Sequence, residues 1–180
     1  HFDHCGGAVK WNNDRTKLET VFKNATYWST ENHWEWATVP NPREKASFLA
    51  ENILPLKESG QLQFVQREGD FTKNVFNNFD VLFVDGHTES MMLPQVQYKG
   101  RTLVYMADLL PSQGHIPIPY VMGYDMFPLT TINEKTAFLK EALEGDYVLF
   151  FEHDPVYECC TLQQTEKGIR PKEFFRLADL

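Results

Sequence analysis

The chain opens on His1-Phe2-Asp3-His4-Cys5-Gly6-Gly7. Two imidazoles and a carboxylate thus lie within four residues. Neutral imidazole and carboxylate are ligands for zinc, and also for iron or manganese. A histidine ahead of Gly-Gly also fits a plain helix-entry turn, so this fragment alone leaves both readings open. Three later positions tip the balance. His87 stands in Asp85-Gly86-His87-Thr88-Glu89, Asp108 in Tyr105-Met106-Ala107-Asp108, and His153 in Phe151-Glu152-His153-Asp154-Pro155. Each follows a run that reads as a buried strand. Strand ends place binding groups at one edge of a rigid frame. Three such placements, two of them by histidines in a chain with only six, favour a ligand cluster over satisfied core histidines.

The elements that must position these residues follow from punctuation and periodicity. Gly6-Gly7 starts a helix or turn toward Trp11. Ala25 to Trp28 is β-branched and aromatic and reads as a strand. Asn41-Pro42 opens a helical segment from Arg43 to Asn52, limited by Pro55. Leu62 to Val65 alternates like a strand. Asp80 to Val84 is a buried-strand run ending at the turn pair Asp85-Gly86. Met91 to Tyr98 and Thr102 to Met106 flank a hairpin turn at Lys99-Gly100. Asn133 to Glu144 is the strongest helix, capped by Asn133, carrying Ala137, Leu139, Ala142 and Leu143, and stopped by Gly145. Tyr147 to Phe151 is another buried strand. The tail from Cys160 to Leu180 reads as a strand and a short terminal element. Strands interleaved with isolated helices predict helices packed on a mixed sheet. No linker or repeat divides the chain, so a single domain over 1–180 is expected.

Composition narrows the function classes. The 180 residues are 42% hydrophobic and 14% aromatic, enough for a sizeable core and unlike a disordered chain. The formal net charge of -8 argues against a nucleic-acid partner, which demands a basic face. No apolar run approaches the roughly 20 residues that a membrane-spanning helix needs. Cys5, Cys159 and Cys160 are an odd set with two adjacent members, not a disulfide framework. A reducing, cytoplasmic setting is expected. His1 reads as the inside of a motif, so the native start is expected upstream of it.

Gly86-His87-Thr88, the strand-terminal Asp108 and the late His153 resemble, in type and order, the metallo-β-lactamase superfamily. That family opens its site with His-x-His-x-Asp-His. His1 would be its second histidine, followed by Asp3 and His4, with the first two residues before His1 and outside this chain. The separations His87 to Asp108 (108 − 87 = 21) and Asp108 to His153 (153 − 108 = 45) resemble those of the quorum-quenching lactonase branch. The gap from His4 to His87 (87 − 4 = 83) leaves room for an inserted, substrate-covering segment.

The resemblance implies an α/β (α+β) fold, a metallo-β-lactamase-like αββα sandwich here lacking its N-terminal strands. It implies two divalent metal ions, zinc first, with iron or manganese as alternatives. His1 and His87 would hold the first metal, Asp3, His4 and His153 the second, and Asp108 would bridge both. Asp3 and Asp108 would be the catalytic carboxylates, Asp3 orienting the nucleophile or passing a proton to the leaving group. The implied reaction is hydrolysis of a small lactone, ester or thioester by a metal-bridging hydroxide. Two alternatives stay open: a mononuclear iron persulfide dioxygenase, and a truncated, non-catalytic metal-binding fragment. The oxygen-reducing diiron branch has a glutamate where His1 stands, which favours hydrolysis. The expected partner is a small-molecule substrate, with no nucleic acid and no membrane, and homo-oligomerisation is left open.

Other residues carry weaker expectations. His115, Tyr120 and Tyr124 lie beyond Asp108 and are candidate substrate contacts, against solvent-exposed loop and ordinary packing. His33, among Trp28, Trp34 and Trp36, reads as part of an aromatic cluster. Cys5 reads as a small apolar filler, Asp154 as a carboxylate supporting a ligand from outside or a structural one rather than a ligand, and Glu89 as solvated. Asp85 is the candidate to accept a proton from a ligand imidazole.

Overall fold

The computed structural model describes residues 1–180. The chain divides into two compact units, His1–Gln66 and Arg67–Leu180.

The first unit is built of short pieces. A four-residue helix α1 (Phe2–Cys5) runs into a 3-10 turn and strand β1 (Val9–Trp11). β1 pairs antiparallel with β2 (Leu18–Thr20), and β3 (Tyr27–Ser29) pairs parallel with β4 (Leu62–Phe64). Between β3 and β4 lie two helices, α2 (Glu31–Thr38) and α3 (Ala50–Glu58). The sequence did not announce α2. It starts because Thr30, in extended conformation, accepts the His33 amide on its side chain, the standard N-cap arrangement. The helix expected over 43–52 is a correction. Residues 42–47 form turns, and the helix begins at Ala50 and carries Pro55 in its interior. One proline in so short a helix removes one backbone hydrogen bond, and here its ring is buried beside Ile53 and Leu56. Ala37, Phe48 and Ile53 are the small core, with Cys5, Trp34 and Trp36 packed against it.

The second unit is a seven-stranded sheet carrying one long helix. Its strands are β5 (Phe71–Phe76), β6 (Phe79–Val84), β7 (Met91–Tyr98), β8 (Arg101–Tyr105), β9 (Val148–Phe150), β10 (Cys159–Thr165) and β11 (Gly168–Phe175). They lie in the order β11-β10-β9-β8-β7-β6-β5. Every pair is antiparallel except β8 with β9. That parallel step needs a crossover, and α4 (Pro128–Glu144) supplies it. The β7–β8 hairpin turns at Lys99-Gly100 as expected, both with positive φ.

α4 starts five residues earlier than the sequence suggested. Pro128 occupies its first turn, where a missing N–H costs nothing, so Asn133 is an interior residue and not the cap. Its buried stripe is Thr131, Lys135, Phe138, Leu139 and Ala142, and Ala137 faces solvent. Phe138, Leu139 and Ala142 of the stripe share one core cluster with Leu93, Val104 and Leu149, all fully buried. The tail is also corrected: it holds two strands in a hairpin before the terminal 3-10 turn, Leu177–Asp179.

Candidate metal centre

The sheet topology explains why three ligand candidates converge. β6 and β8 each run antiparallel to β7, so they point the same way, and β9 is parallel to β8. All three strands therefore end at one edge of the sheet. β6 ends at Val84, β8 at Tyr105 and β9 at Phe150. His87, Asp108 and His153 each stand three residues farther on (87 − 84, 108 − 105 and 153 − 150). Tyr105 is directly opposite Phe150, so Asp108 and His153 leave neighbouring strands side by side.

Asp108 is the centre of the group. It is 5% exposed, and its two oxygens face different imidazoles. Oδ2 is 3.1 Å from His87 Nε2 and Oδ1 is 3.4 Å from His153 Nε2. The backbone just before it is strained, with Ala107 at φ 42°, a region costly for a residue with a Cβ. His87 is buried, and its other ring nitrogen, Nδ1, lies 2.9 Å from Asp125 Oδ1. Burial pulls the His87 pKa down, but the bonds to Asp108 and Asp125 outweigh it and lift it to about 9. Two buried carboxylates around one imidazole thus need a positive charge between them.

The turn that carries His87 is held from several sides. Glu134 of α4 accepts the Asp85 and Gly86 amides at 2.6 and 3.0 Å. Met126 N–H donates to the His87 carbonyl and Phe127 N–H to that of Gly86. A Cβ on Gly86 would lie 2.6 Å from Thr131 Cα, so only glycine lets α4 approach this closely.

In the first unit, His1 and Glu44 form a comparable pair. His1 Nε2 is 3.1 Å from Glu44 Oε1. Glu44 is 3% exposed, and its Oε2 accepts from Trp36 Nε1 and Asn41 Nδ2, both at 2.6 Å. Asp3 Oδ2 and His4 Nε2 are 3.5 Å apart and partly exposed.

No family model matches the sequence, and no curated protein matches it. Solved structures do. A probable metal-dependent hydrolase from Staphylococcus aureus superposes with a TM-score of 0.81 at 22% identity, over 97% of this chain and 58% of that one. AidC, a dizinc quorum-quenching lactonase in complex with a product, gives 0.76 at 22% identity, over 98% and 63%. The hydrolase AbOPH of the β-lactamase superfamily gives 0.77 at 16% identity, over 98% and 62%. The fold is that of the metallo-β-lactamase-type hydrolases. The chain spans about three-fifths of the length of these structures.

Within this metallo-β-lactamase-type fold, the second unit brings His87, Asp108 and His153 together as the sequence suggested. It adds Asp125, which sequence reasoning missed. An aspartate 38 residues after His87, in the loop ahead of α4, leaves no local signature. The role expected of Asp85 falls to Asp125 instead. Asp85 forms a two-point pair with Arg67 at 2.7 and 2.8 Å and accepts the Ser90 amide. That pairing, with burial opposing it, leaves its pKa lowered. Glu44 was missed for the same reason as Asp125. Glu89 is half-buried, and burial raises its pKa.

Asp154 is structural, as expected: it accepts the amides of Gln113, Val156 and Tyr157. Cys5 is a half-buried filler whose thiol pKa is raised by burial, which disfavours a thiolate. His33 sits edge-on to Phe48 at 5.8 Å. His115 closes a 3-10 turn (Gln113–His115), and its Nδ1 lies 2.9 Å from Ser112 Oγ. Burial and the charge of Lys135 lower its pKa, while Asp125 and Asp108 oppose this, so its ring is neutral at pH 7 and within electrostatic reach of the cluster. Tyr120 and Tyr124 are 62% and 80% exposed, available to a ligand and not part of the core.

Proposed function

We propose that this chain carries a metal-dependent hydrolase site for a small carbonyl substrate, a lactone, ester or thioester. The observation that carries the reading is Asp108: one buried carboxylate with each oxygen turned to a different imidazole. Such a carboxylate suits two cations, and the chemistry of the surrounding groups fits them. His87 and His153 offer imidazole nitrogens, a bound cation would take the place of the proton that His87 otherwise holds between its carboxylates, and Asp125 holds the far nitrogen of His87 as outer carboxylates do for metal-bound histidines. Glu44 is placed to do the same for His1.

In this reading His1 and His87 would hold one metal, Asp3, His4 and His153 the second, and Asp108 would serve both. The order of the motifs and the likeness to a dizinc lactonase support that division. A bound pair of divalent cations supplies hydroxide at neutral pH and polarises the attacked carbonyl. The remaining work belongs to the chain. Asp125 and Glu44 fix the tautomer and tilt of their histidines. Asp3, the most exposed of the proposed carboxylates, accepts or returns the proton that the leaving group needs. His115, Tyr120 and Tyr124 contact the substrate, the phenols donating toward carbonyl oxygen.

Metal analysis of the purified chain with a panel of lactones, esters and thioesters tests the reading. The expected result is two metals per chain and turnover of at least one class. One iron per chain with oxygen uptake would replace the hydrolase by a dioxygenase. Bound metal without turnover would leave a binding fragment.

A further inference from the structure

Lys135 occupies the middle of the buried stripe of α4, where a charge is costly. It is fully buried. Its ammonium donates to three backbone carbonyls, those of His115 at 2.7 Å, Pro117 at 3.0 Å and Tyr120 at 2.7 Å. An ammonium has three N–H donors, and each has one acceptor in the same loop. Inside that loop Ile116 N–H donates to Gln113 and Tyr120 N–H to Pro117, and the Ile116 side chain is fully buried. The loop leaves the sheet edge after Asp108 and carries His115 and Tyr120.

We propose that Lys135 is a positioning residue for substrate binding: it clamps residues 115–120 to α4, so that His115 and Tyr120 are presented beside the carboxylate–imidazole cluster in one fixed arrangement. A buried lysine is an expensive way to fill a helix stripe, and methionine would fill it without a charge. The three convergent carbonyls give the lysine its reason. Losing it strips the ammonium donor from all three and leaves the Pro117 carbonyl only the Tyr120 amide, and the loop loses its anchor while the strands bearing His87, Asp108 and His153 keep theirs. Lys135 therefore governs how substrate is held rather than the chemical step. This inference rests on the hydrolase reading for its substrate-facing part only.

The test compares the metal-loaded wild-type chain with Lys135→Met and the milder Lys135→Gln, whose amide keeps two donors. Hydrogen exchange is measured by residue, and steady-state kinetics on the best substrate of the ester and lactone panel. In the wild type, the Ile116 and Tyr120 amides should exchange slowly. In Lys135→Met, exchange over 113–122 should rise about tenfold or more while β6 to β9 keep their protection. KM should rise about tenfold with kcat within about twofold, and Lys135→Gln should lie between. Fast exchange at Ile116 and Tyr120 in the wild type would overturn the clamp without any variant. Unchanged exchange in Lys135→Met, or a fall in kcat at constant KM, would overturn it too. A wild-type chain that turns over no substrate would sink the hydrolase reading, and the exchange result would then decide the clamp by itself.

Discussion

Asp125 matters through what it does to His87. Its carboxylate lies 2.9 Å from Nδ1 and so leaves Nε2 for the Asp108 side. Replacing such an outer carboxylate commonly costs 10–100-fold in metal affinity. Asp125→Ala should therefore weaken zinc binding by about that factor, measured by competition with a chromophoric chelator, and Asp125→Asn by less, because its amide oxygen still accepts from Nδ1. An unchanged affinity in Asp125→Ala would remove the residue from the site. At this scale the sequence was legible where chemistry repeats a pattern. His87, Asp108 and His153 each follow a readable strand, but Asp125 and Glu44 sit in loops and act through contacts that spacing along the chain cannot reveal. Asp85 was the natural guess because it is a near neighbour of His87, and it lost to a partner 38 residues away.

Among the elements, α4 is the common frame. Glu134 holds the turn before His87, Lys135 holds the loop after Asp108, and Thr131 packs on Gly86. Gly86→Ala would force a Cβ against the α4 backbone, which cannot yield as a side-chain tip can. The cost should be about 1–3 kcal/mol, visible as a lowered Tm in thermal unfolding, and an unchanged Tm would deny the close approach. The Lys135 clamp also has a pH sense. Burial draws its pKa down to about 8, opposed by Asp125, and neutral His115 adds no charge of its own at that pH. A neutral amine has two N–H donors and a lone pair, so one of the three carbonyls loses its bond. Substrate affinity should then fall as pH rises through about 8, seen as a rising KM in the wild type and a flat one in Lys135→Met. Flat wild-type KM across that range would show that the charge is not lost there. The sequence marked α4 by its periodicity but misplaced its start, because Asn133 looks like a cap and Pro128 looks like a break. Helix α2 went unseen because three of its eight residues are aromatic or imidazole, and a Thr30 cap is a weak signal beside them.

On the scale of the whole chain, the large sheet was legible because its strands are buried runs bounded by turn pairs, and its parallel β8–β9 step follows from the long helix between them. The opening unit was less so, since its strands are three residues each, too short for a period to show. The seven-stranded sheet brings three strand ends to one edge and puts Asp108 between two imidazoles, and the proposed function requires that carboxylate to serve two metals at once. Zinc equivalents bound by the wild-type chain and by Asp108→Ala, counted by elemental analysis after dialysis, test this most directly. A pair of zinc ions is expected in the wild type, and loss of the pair in the variant. Two ions retained by Asp108→Ala would contradict that requirement.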